Sequence, residues 1–193
     1  MKKHSKEHVI EIGEKLFRSQ GYHHTGTEDI LKASDYPRSS FYYNFKSKEG
    51  FATQVLENYG SNSEKFYSSI FKDSKLGSPI DRLLYFSEIM KAGAVKKKFT
   101  SECLIQKLSI ECAGANESFR QSINDQLKKL VAVIIECISE GQAANEIRSD
   151  KSAQELAEYY HGQLYGSFIL ARLQNDGEVM SKSLNMVIEN MKA

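Results

Sequence analysis

The sequence predicts an all-α protein, and three observations support this prediction. Apolar residues recur with the roughly 3.6-residue period of a helix along most of the chain, and few windows alternate with the period of a strand. Only two prolines interrupt the 193 residues. Most of the candidate helices are bounded by Gly, Asn, Asp or Ser, which are common at helix ends.

The first candidate helix is amphipathic and ends at a glycine. Ile10, Leu16 and Phe17 lie on one apolar stripe, and Gly21 follows as a natural stop. We expect this helix to pack against the two short helices that follow it.

A tight turn joins those two short helices. Thr25 stands three positions before Glu28, which is the pattern of a capping box, so a helix is predicted to begin there. This helix must be short, because Pro37 disfavours helical geometry at Tyr36. Pro37 itself suits the first position of a new helix. The segment therefore predicts a helix-turn-helix with its turn at residues 34–36.

The rest of the chain predicts one long helix and five more. Ser47 is predicted to begin the long helix, and residues 72–79 are the best linker candidate because they combine Gly77 and Pro79 with serine and aspartate. The five later helices are predicted within residues 80–99, 101–114, 116–142, 150–174 and 178–191.

The second helix of the helix-turn-helix carries residue types that suit a DNA groove. Phe41 and Phe45 are four positions apart and share a face, which we expect to pack on the earlier helices. Arg38, Ser39 and Ser40 would then lie on the exposed side of the helix. Small side chains let a helix approach the major groove closely, and arginine can bind guanine.

The overall composition argues against several classes of protein. A net charge of +1 gives no global field, so a nucleic-acid contact would need a local basic patch. No segment approaches the ~18 apolar residues of a membrane span. Three cysteines without a CxxC pair suit a reducing cytoplasm. The histidines do not cluster with cysteines at metal-ligand spacing, and the common nucleotide-binding and hydrolase motifs do not occur. We expect no metal, no cofactor, no membrane association and no enzymatic activity.

The N-terminal segment resembles the DNA-binding domain of the TetR family of bacterial transcription regulators. The resemblance covers residues 9–51, about the first quarter of the chain, at the family's spacing. It implies a helix-turn-helix DNA-binding domain over residues 1–50 and a helical ligand-binding and dimerisation domain over residues 51–193. The residues that match are Leu16-Phe17, Gly21-Tyr22, Thr25, Ile30, Ala33, Phe41-Tyr42-Tyr43, Phe45, Lys46 and Lys48-Glu49.

The resemblance also implies which residues contact DNA. Threonines at the start of the second helix and a lysine at the start of the long helix would bind phosphate, and the recognition helix would face the bases. A lone surface arginine or lysine is usually only a solvated charge. Because Arg38 and Lys48 belong to this motif, we favour DNA contact for both. Tyr42 is expected to be partly buried. The predicted DNA-binding residues are Thr25, Thr27, Arg38, Ser39, Ser40, Tyr42, Tyr43, Asn44, Lys46 and Lys48.

Three departures from the family pattern occur in this segment. Gly26 stands where Ser or Thr is usual, and Asn44 stands where histidine is frequent. Asp35 replaces a common turn glycine, which is tolerable because aspartate accepts left-handed backbone geometry.

Residues 101–175 are similar to one branch of the family, in which a cysteine opens a short helix. Some members of that branch sense electrophiles or oxidants through the cysteine, and Cys103 stands at its position. Lys107, one helical turn away, could lower the pKa of the thiol. A free cysteine is more commonly a small buried hydrophobe, and this alternative stays open for Cys103, Cys112 and Cys137.

An effector pocket and a dimer interface are predicted in the second domain. Each proposed pocket residue could instead be plain core, and His161 could be a hydrogen-bonded core residue. Gly162 and Gly166 are four apart, and small residues at that spacing let helices approach closely, although a wholly intramolecular core helix is the alternative. The predicted pocket residues are Phe86, Met90, Cys103, Leu104, Tyr160, His161 and Leu164, and the predicted dimer residues are Gly162, Gly166, Ile169 and Leu170.

Together these observations predict a cytoplasmic, ligand-responsive transcriptional regulator. It would bind double-stranded operator DNA as a homodimer, with palindromic half-sites about 34–36 Å apart. The favoured hypothesis is a repressor that a small molecule or a thiol-reactive compound releases from DNA, through a tilt of the long helix. A non-catalytic helical adaptor and an activator of the same fold are the alternatives.

Overall fold

The computed structural model describes residues 5–100, 103–112 and 117–193. Within these residues the regular structure is helical apart from one antiparallel bridge between Ile147 and Lys192, so the all-α prediction is confirmed. The helices are α1 (Lys6–Gln20), α2 (Thr27–Ser34), α3 (Arg38–Phe45), α4 (Lys48–Phe71), α5 (Pro79–Lys96), α6 (Leu104–Cys112), α7 (Glu117–Ala143), α8 (Ala153–Gln174) and α9 (Glu178–Glu189), with a short 3₁₀ helix at Ser74–Leu76.

The chain divides into two compact units. The first unit comprises Met1–Asn62 and Glu102–Leu127, and the second comprises Ser63–Ser101 and Lys128–Ala193. Helix α6 therefore belongs to the same unit as the helix-turn-helix. The division into functional domains at residues 1–50 and 51–193 stays a prediction.

The start of α2 differs from its prediction. Gly26 caps the helix, and its backbone N–H donates to the Asp29 carboxylate at 2.8 Å. Thr25 is fully buried instead, and its hydroxyl donates to the carbonyl oxygen of Gly21 at 2.7 Å. The predicted capping box of Thr25 and Glu28 is therefore wrong, because an aspartate one residue further along caps the helix.

The turn between α2 and α3 lies at residues 35–37, one residue later than predicted. Asp35 adopts left-handed geometry with φ 53°, as expected of aspartate at this position. Pro37 is extended, with ψ 132°, so it precedes α3 rather than occupying its first position. Ser47 accepts a hydrogen bond from the Gly50 N–H at 3.0 Å and caps α4.

An aromatic cluster holds α3 in the first unit. Phe41 and Phe45 are both buried, and the ring of Phe51 lies 5.1 and 4.8 Å from theirs, centroid to centroid. Phe17 of α1 lies 6.0 Å from Phe51. A Cβ atom at Gly13 would lie 2.4 Å from the Phe51 ring, so glycine there permits the close approach of α1. The predicted packing of α3 on α1 is thus made through a phenylalanine of α4.

The second unit is built on α5, α8 and α9, which pack on one another. Arg82 of α5 is only 2% exposed, and it donates to the carbonyl oxygen of Phe71 and to the Glu140 carboxylate, both at 2.6 Å. Residues 72–79, predicted as a linker, connect α4 to α5 inside this unit.

Candidate nucleic-acid interface

Four polar or aromatic residues form the exposed face of α3. Successive residues are about 100° apart around a helix, so Arg38, Ser39, Tyr42 and Tyr43 fall within an arc of about 140°. All four are exposed, with Tyr42 at 42% and Tyr43 at 78%. The two phenylalanines lie outside this arc and face the core. The predicted division of α3 into a buried face and an exposed polar face is confirmed, whereas DNA contact stays a prediction.

Arg38 forms an ion pair with Glu28 of α2 through its Nη2 atom. The side chains remain 59% and 68% exposed, so the guanidinium stays at the surface. The first turn of α2 therefore helps to orient the arginine of α3. This role of Glu28 was not predicted, because the spacing of Thr25 and Glu28 in the sequence indicated a capping box.

Ser40 and Asn44 lie on a different side of α3. Ser40 is about 200° from Arg38 around the helix and is half-buried. The Asn44 amide nitrogen donates to the Tyr36 hydroxyl at 2.9 Å and to the Ser40 carbonyl oxygen at 2.8 Å. Both amide hydrogens are thus used inside the protein, and the geometry supports neither phosphate donation by Asn44 nor base contact by Ser40.

The two predicted threonines have different surroundings. Thr25 is fully buried and hydrogen-bonded internally, so the geometry does not support its predicted phosphate contact. Thr27 is half-buried at the first position of α2, where it remains a candidate.

Two lysines flank the C-terminal end of α3. Lys46 is exposed, and its Nζ donates to the Tyr43 carbonyl oxygen at 2.8 Å, which satisfies an acceptor at the end of the helix. Lys48 is half-buried, with Nζ 4.2 Å from the centroid of the Tyr22 ring. A cation over an aromatic face at this distance is a favourable contact.

The three cysteines occupy different environments. Cys103 is half-exposed and hydrogen-bonds Tyr59, whose pKa is raised by burial and by this thiol. The Arg18 guanidinium lies 5.6 Å from the Tyr59 ring centroid. Cys112 and Cys137 are buried, and burial raises the pKa of each thiol to about 11. The two buried thiols are therefore poor nucleophiles at neutral pH.

The predicted pocket residues of the second unit are largely core. The Tyr160 hydroxyl donates to the Leu83 carbonyl oxygen at 2.9 Å and lies 2.8 Å from the Ser87 hydroxyl. His161 Nε2 lies 3.3 Å from the Tyr67 hydroxyl, and burial lowers the pKa of His161 to about 4. These internal partners favour the core alternative. Among the other predicted pocket residues, which lie in both units, Phe86, Leu104 and Leu164 are buried. Met90 and Cys103 are half-buried.

A cavity of about 450 Å³ lies elsewhere in the second unit. Its walls come from the loop before α8, from the start of α8 and from the chain around the end of α9. Its lining residues are Arg148, Lys151, Glu155, Leu156, Tyr159, Val187, Asn190 and Met191.

An exposed, largely apolar stripe runs along α8. Gly162 and Gly166 have open space where a Cβ atom would be. Larger apolar side chains continue the stripe at a spacing of three or four residues, and Met186 of α9 is also 66% exposed. The exposed apolar side chains of α8 are Tyr159, Ile169, Leu170 and Leu173.

The part of the chain that the structure describes contains neither a metal-binding cluster nor a membrane-spanning helix. No group of three or more His, Cys, Asp or Glu side chains there could hold a metal ion. No helix within those residues is long and apolar enough to cross a membrane.

Two family models match the chain. Residues 9–55 match the model of bacterial regulatory proteins of the tetR family. Residues 79–187, more than half of the chain, match the model of the tetracyclin repressor-like C-terminal domain.

Curated relatives and solved structures agree with these models. The HTH-type transcriptional repressor DhaR of Mycobacterium sp. (strain GP1) is 29% identical over 185 residues, which cover 95% of this chain and 90% of DhaR. The repressor NemR of Escherichia coli (strain K12) is 23% identical, covering 95% of this chain and 94% of NemR. The crystal structure of regulatory protein TetR from Rhodobacter sphaeroides superposes with a TM-score of 0.86 at 24% identity, covering 96% of this chain and 97% of the other. The crystal structure of the reduced form of E. coli NemR superposes with a TM-score of 0.85 at 24% identity, covering 97% of this chain and 96% of NemR. The chain belongs to the TetR family of bacterial regulatory proteins.

Proposed function

We propose that the protein is a transcriptional repressor that binds a palindromic operator through the exposed face of α3. The observation that carries the proposal is this face itself. It presents a guanidinium, a small hydroxyl and two tyrosines on a short helix that buried phenylalanines hold from behind. Arginine reads guanine in the major groove, and hydroxyls bind phosphates or base edges. The repressors DhaR and NemR among its relatives support the direction of regulation.

We propose that the DNA-binding form is a homodimer. One helix-turn-helix contacts too few bases and phosphates for selective binding, and a twofold dimer doubles the contacts. The exposed stripe of α8 supplies apolar surface and open glycines for a second copy. Changing Leu173, which is 78% exposed, to glutamate should weaken dimerisation by at least about tenfold, because truncated interface hot spots cost 2 kcal/mol or more. Sedimentation at several concentrations measures this, and an unchanged dimer would contradict the interface.

We propose Cys103 as the site at which a thiol-reactive effector acts. It is half-exposed and lies in the same unit as α3, whereas burial raises the pKa of Cys112 and Cys137. Alkylation by N-ethylmaleimide would add bulk beside Tyr59, whose side chain is hydrogen-bonded to this thiol. We expect it to weaken operator binding in the wild type and to leave Cys103→Ser unaffected. Equal loss in both proteins would overturn this part of the proposal.

The experiment that tests the whole proposal is selection of duplexes by the wild-type protein from a random pool at moderate salt. We expect enrichment of a palindrome with half-sites about one helical turn or a multiple of it apart. Reporter expression should fall when this palindrome overlaps a promoter. Absence of any enriched sequence would support the adaptor alternative, and increased expression would support an activator.

A further inference from the structure

We infer that Glu111, at the end of α6, is a positioning residue for DNA binding. It fixes the turn at Tyr22 and, through the Tyr22 ring, the ammonium group of Lys48. The inference rests on the proposed function, since it assumes that Lys48 binds an operator phosphate. It adds a residue of α6 to an interface otherwise formed by α2, α3 and α4.

The carboxylate of Glu111 binds the turn between α1 and α2 directly. Its Oε2 accepts a hydrogen bond from the Tyr22 backbone N–H at 2.6 Å. Its backbone carbonyl oxygen lies 3.1 Å from His23 Nε2. Gly21 has φ +86°, and a Cβ atom there would lie 2.4 Å from Glu111 Oε1. Glycine at this position therefore permits both the turn and the close approach of the carboxylate.

The Tyr22 ring connects this turn to the start of α4. The ring packs against Phe17 and Phe119, with centroid distances of 5.7 and 5.6 Å. Lys48 Nζ lies 4.2 Å from the centroid of the same ring. The neighbouring rings hold the Tyr22 side chain, and Glu111 holds the Tyr22 backbone. The Lys48 ammonium therefore packs on an aromatic ring whose position is fixed. A long lysine side chain loses less conformational entropy on binding phosphate when it is already oriented.

The charge of Glu111 also acts on Lys48. Partial burial lowers the pKa of Lys48, and the negative charges near it, including that of Glu111, oppose this shift. This contribution is the smallest of the charge effects on Lys48, so Glu111 acts mainly through its hydrogen bond to Tyr22.

A second contact between α6 and α1 provides a matched control. Lys107 Nζ donates to the Arg18 carbonyl oxygen at 3.2 Å, near the end of α1. This contact also joins α6 to α1 within the first unit, but it is not made to Tyr22 or Lys48. A purely structural attachment of α6 predicts similar effects from losing either contact.

The test is a double-mutant cycle between Glu111 and Lys48 in the full-length protein. The probe is the palindrome selected by the wild type, and fluorescence anisotropy gives the dissociation constant. We expect Glu111→Ala to weaken binding about tenfold, which equals about 1.4 kcal/mol. Glu111→Gln should stay within about twofold of wild type, because its amide oxygen can still accept from Tyr22, and Lys107→Met should do the same. In the Lys48→Ala background, Glu111→Ala should have almost no further effect.

Tyr22→Leu provides a second test that keeps the backbone hydrogen bond to Glu111. It removes the aromatic face beneath Lys48, so we expect a loss similar to that of Glu111→Ala and equally absent in the Lys48→Ala background. Independent, multiplying effects of Glu111 and Lys48 would overturn the inference, as would wild-type affinity in Glu111→Ala. If the wild type selects no palindrome, the proposed function fails instead.

Discussion

Arg38 in the first unit and Arg82 in the second both stand in the first turn of a helix, but their surroundings are opposite. Arg82 is 2% exposed and donates to a backbone carbonyl oxygen and a glutamate. Arg38 keeps 59% of its side chain exposed beside Glu28. The same contrast separates Tyr160, which is fully buried with internal hydrogen bonds, from Tyr43, which is 78% exposed.

The position of the hydrogen-bond partners distinguishes the polar core from the exposed polar face of α3. A buried polar group without a partner is costly, so Arg82 and Tyr160 stabilise the fold through the partners they have. The exposed groups of α3 add little to stability and can bind another molecule. Substitutions in the two regions should therefore separate stability from DNA binding.

The largest effect is expected for Arg82→Ala, which should lower the free energy of unfolding by about 3–5 kcal/mol, the range for truncating a large buried side chain to alanine. The carbonyl oxygen of Phe71 and the Glu140 carboxylate would lose their donor. Urea denaturation at fixed protein concentration measures the change. Arg148→Ala is the control, because Arg148 forms an exposed pair with Asp150 in the same unit. Equal denaturation midpoints for the two variants would contradict the assignment of Arg82 to the core.

The next effect is a loss of stability in mild acid. Burial lowers the pKa of His161 to about 4 from its usual 6.5, so the unfolded chain binds a proton that the folded protein does not. Stability due to this residue is complete above pH 6.5 and falls as the pH drops toward 4. The difference between the pKa values corresponds to about 3 kcal/mol in total. His161→Gln should flatten the dependence of unfolding free energy on pH between about 4 and 6.5, and an unchanged slope there would contradict the burial of a neutral imidazole.

A smaller effect is expected for Tyr160→Phe. The variant removes the hydroxyl that donates to the Leu83 carbonyl oxygen, which should cost about 1–2 kcal/mol of stability without affecting operator affinity. Thermal unfolding and anisotropy titration measure the two quantities. Unchanged stability with an altered effector response would instead support the predicted role of Tyr160 in a pocket.

Local signals allowed much of the first unit to be predicted from the sequence. Phe41 and Phe45 share a face because of helical periodicity alone, and Asp35 adopts left-handed geometry because its own side chain tolerates it. The site was predicted less well where two neighbouring residues could each make the same local contact. Asp29, rather than Glu28, caps α2, and this leaves Glu28 to pair with Arg38.

Contacts between distant parts of the chain could not be predicted. Glu111 binds the backbone of Tyr22 across 89 residues, and no periodicity or motif around either residue signals that contact. Likewise, the sequence marks Tyr160 and His161 as polar residues on an apolar helix, but only the fold supplies Leu83 and Tyr67 as their partners. A single sequence gives residue types, whereas burial and partners depend on tertiary structure.

The most direct measurement compares Arg38→Ala with Lys15→Ala on the selected palindrome and on a scrambled duplex of equal length. Lys15 is an exposed cation of α1 outside the α3 face, so its loss controls for charge. Arg38→Ala should weaken palindrome binding by about 1–3 kcal/mol per half-site, with little change on the scrambled duplex. Its unfolding free energy should stay within about 0.5 kcal/mol of wild type. Equal palindrome affinities for the two variants would contradict the assignment of DNA reading to α3.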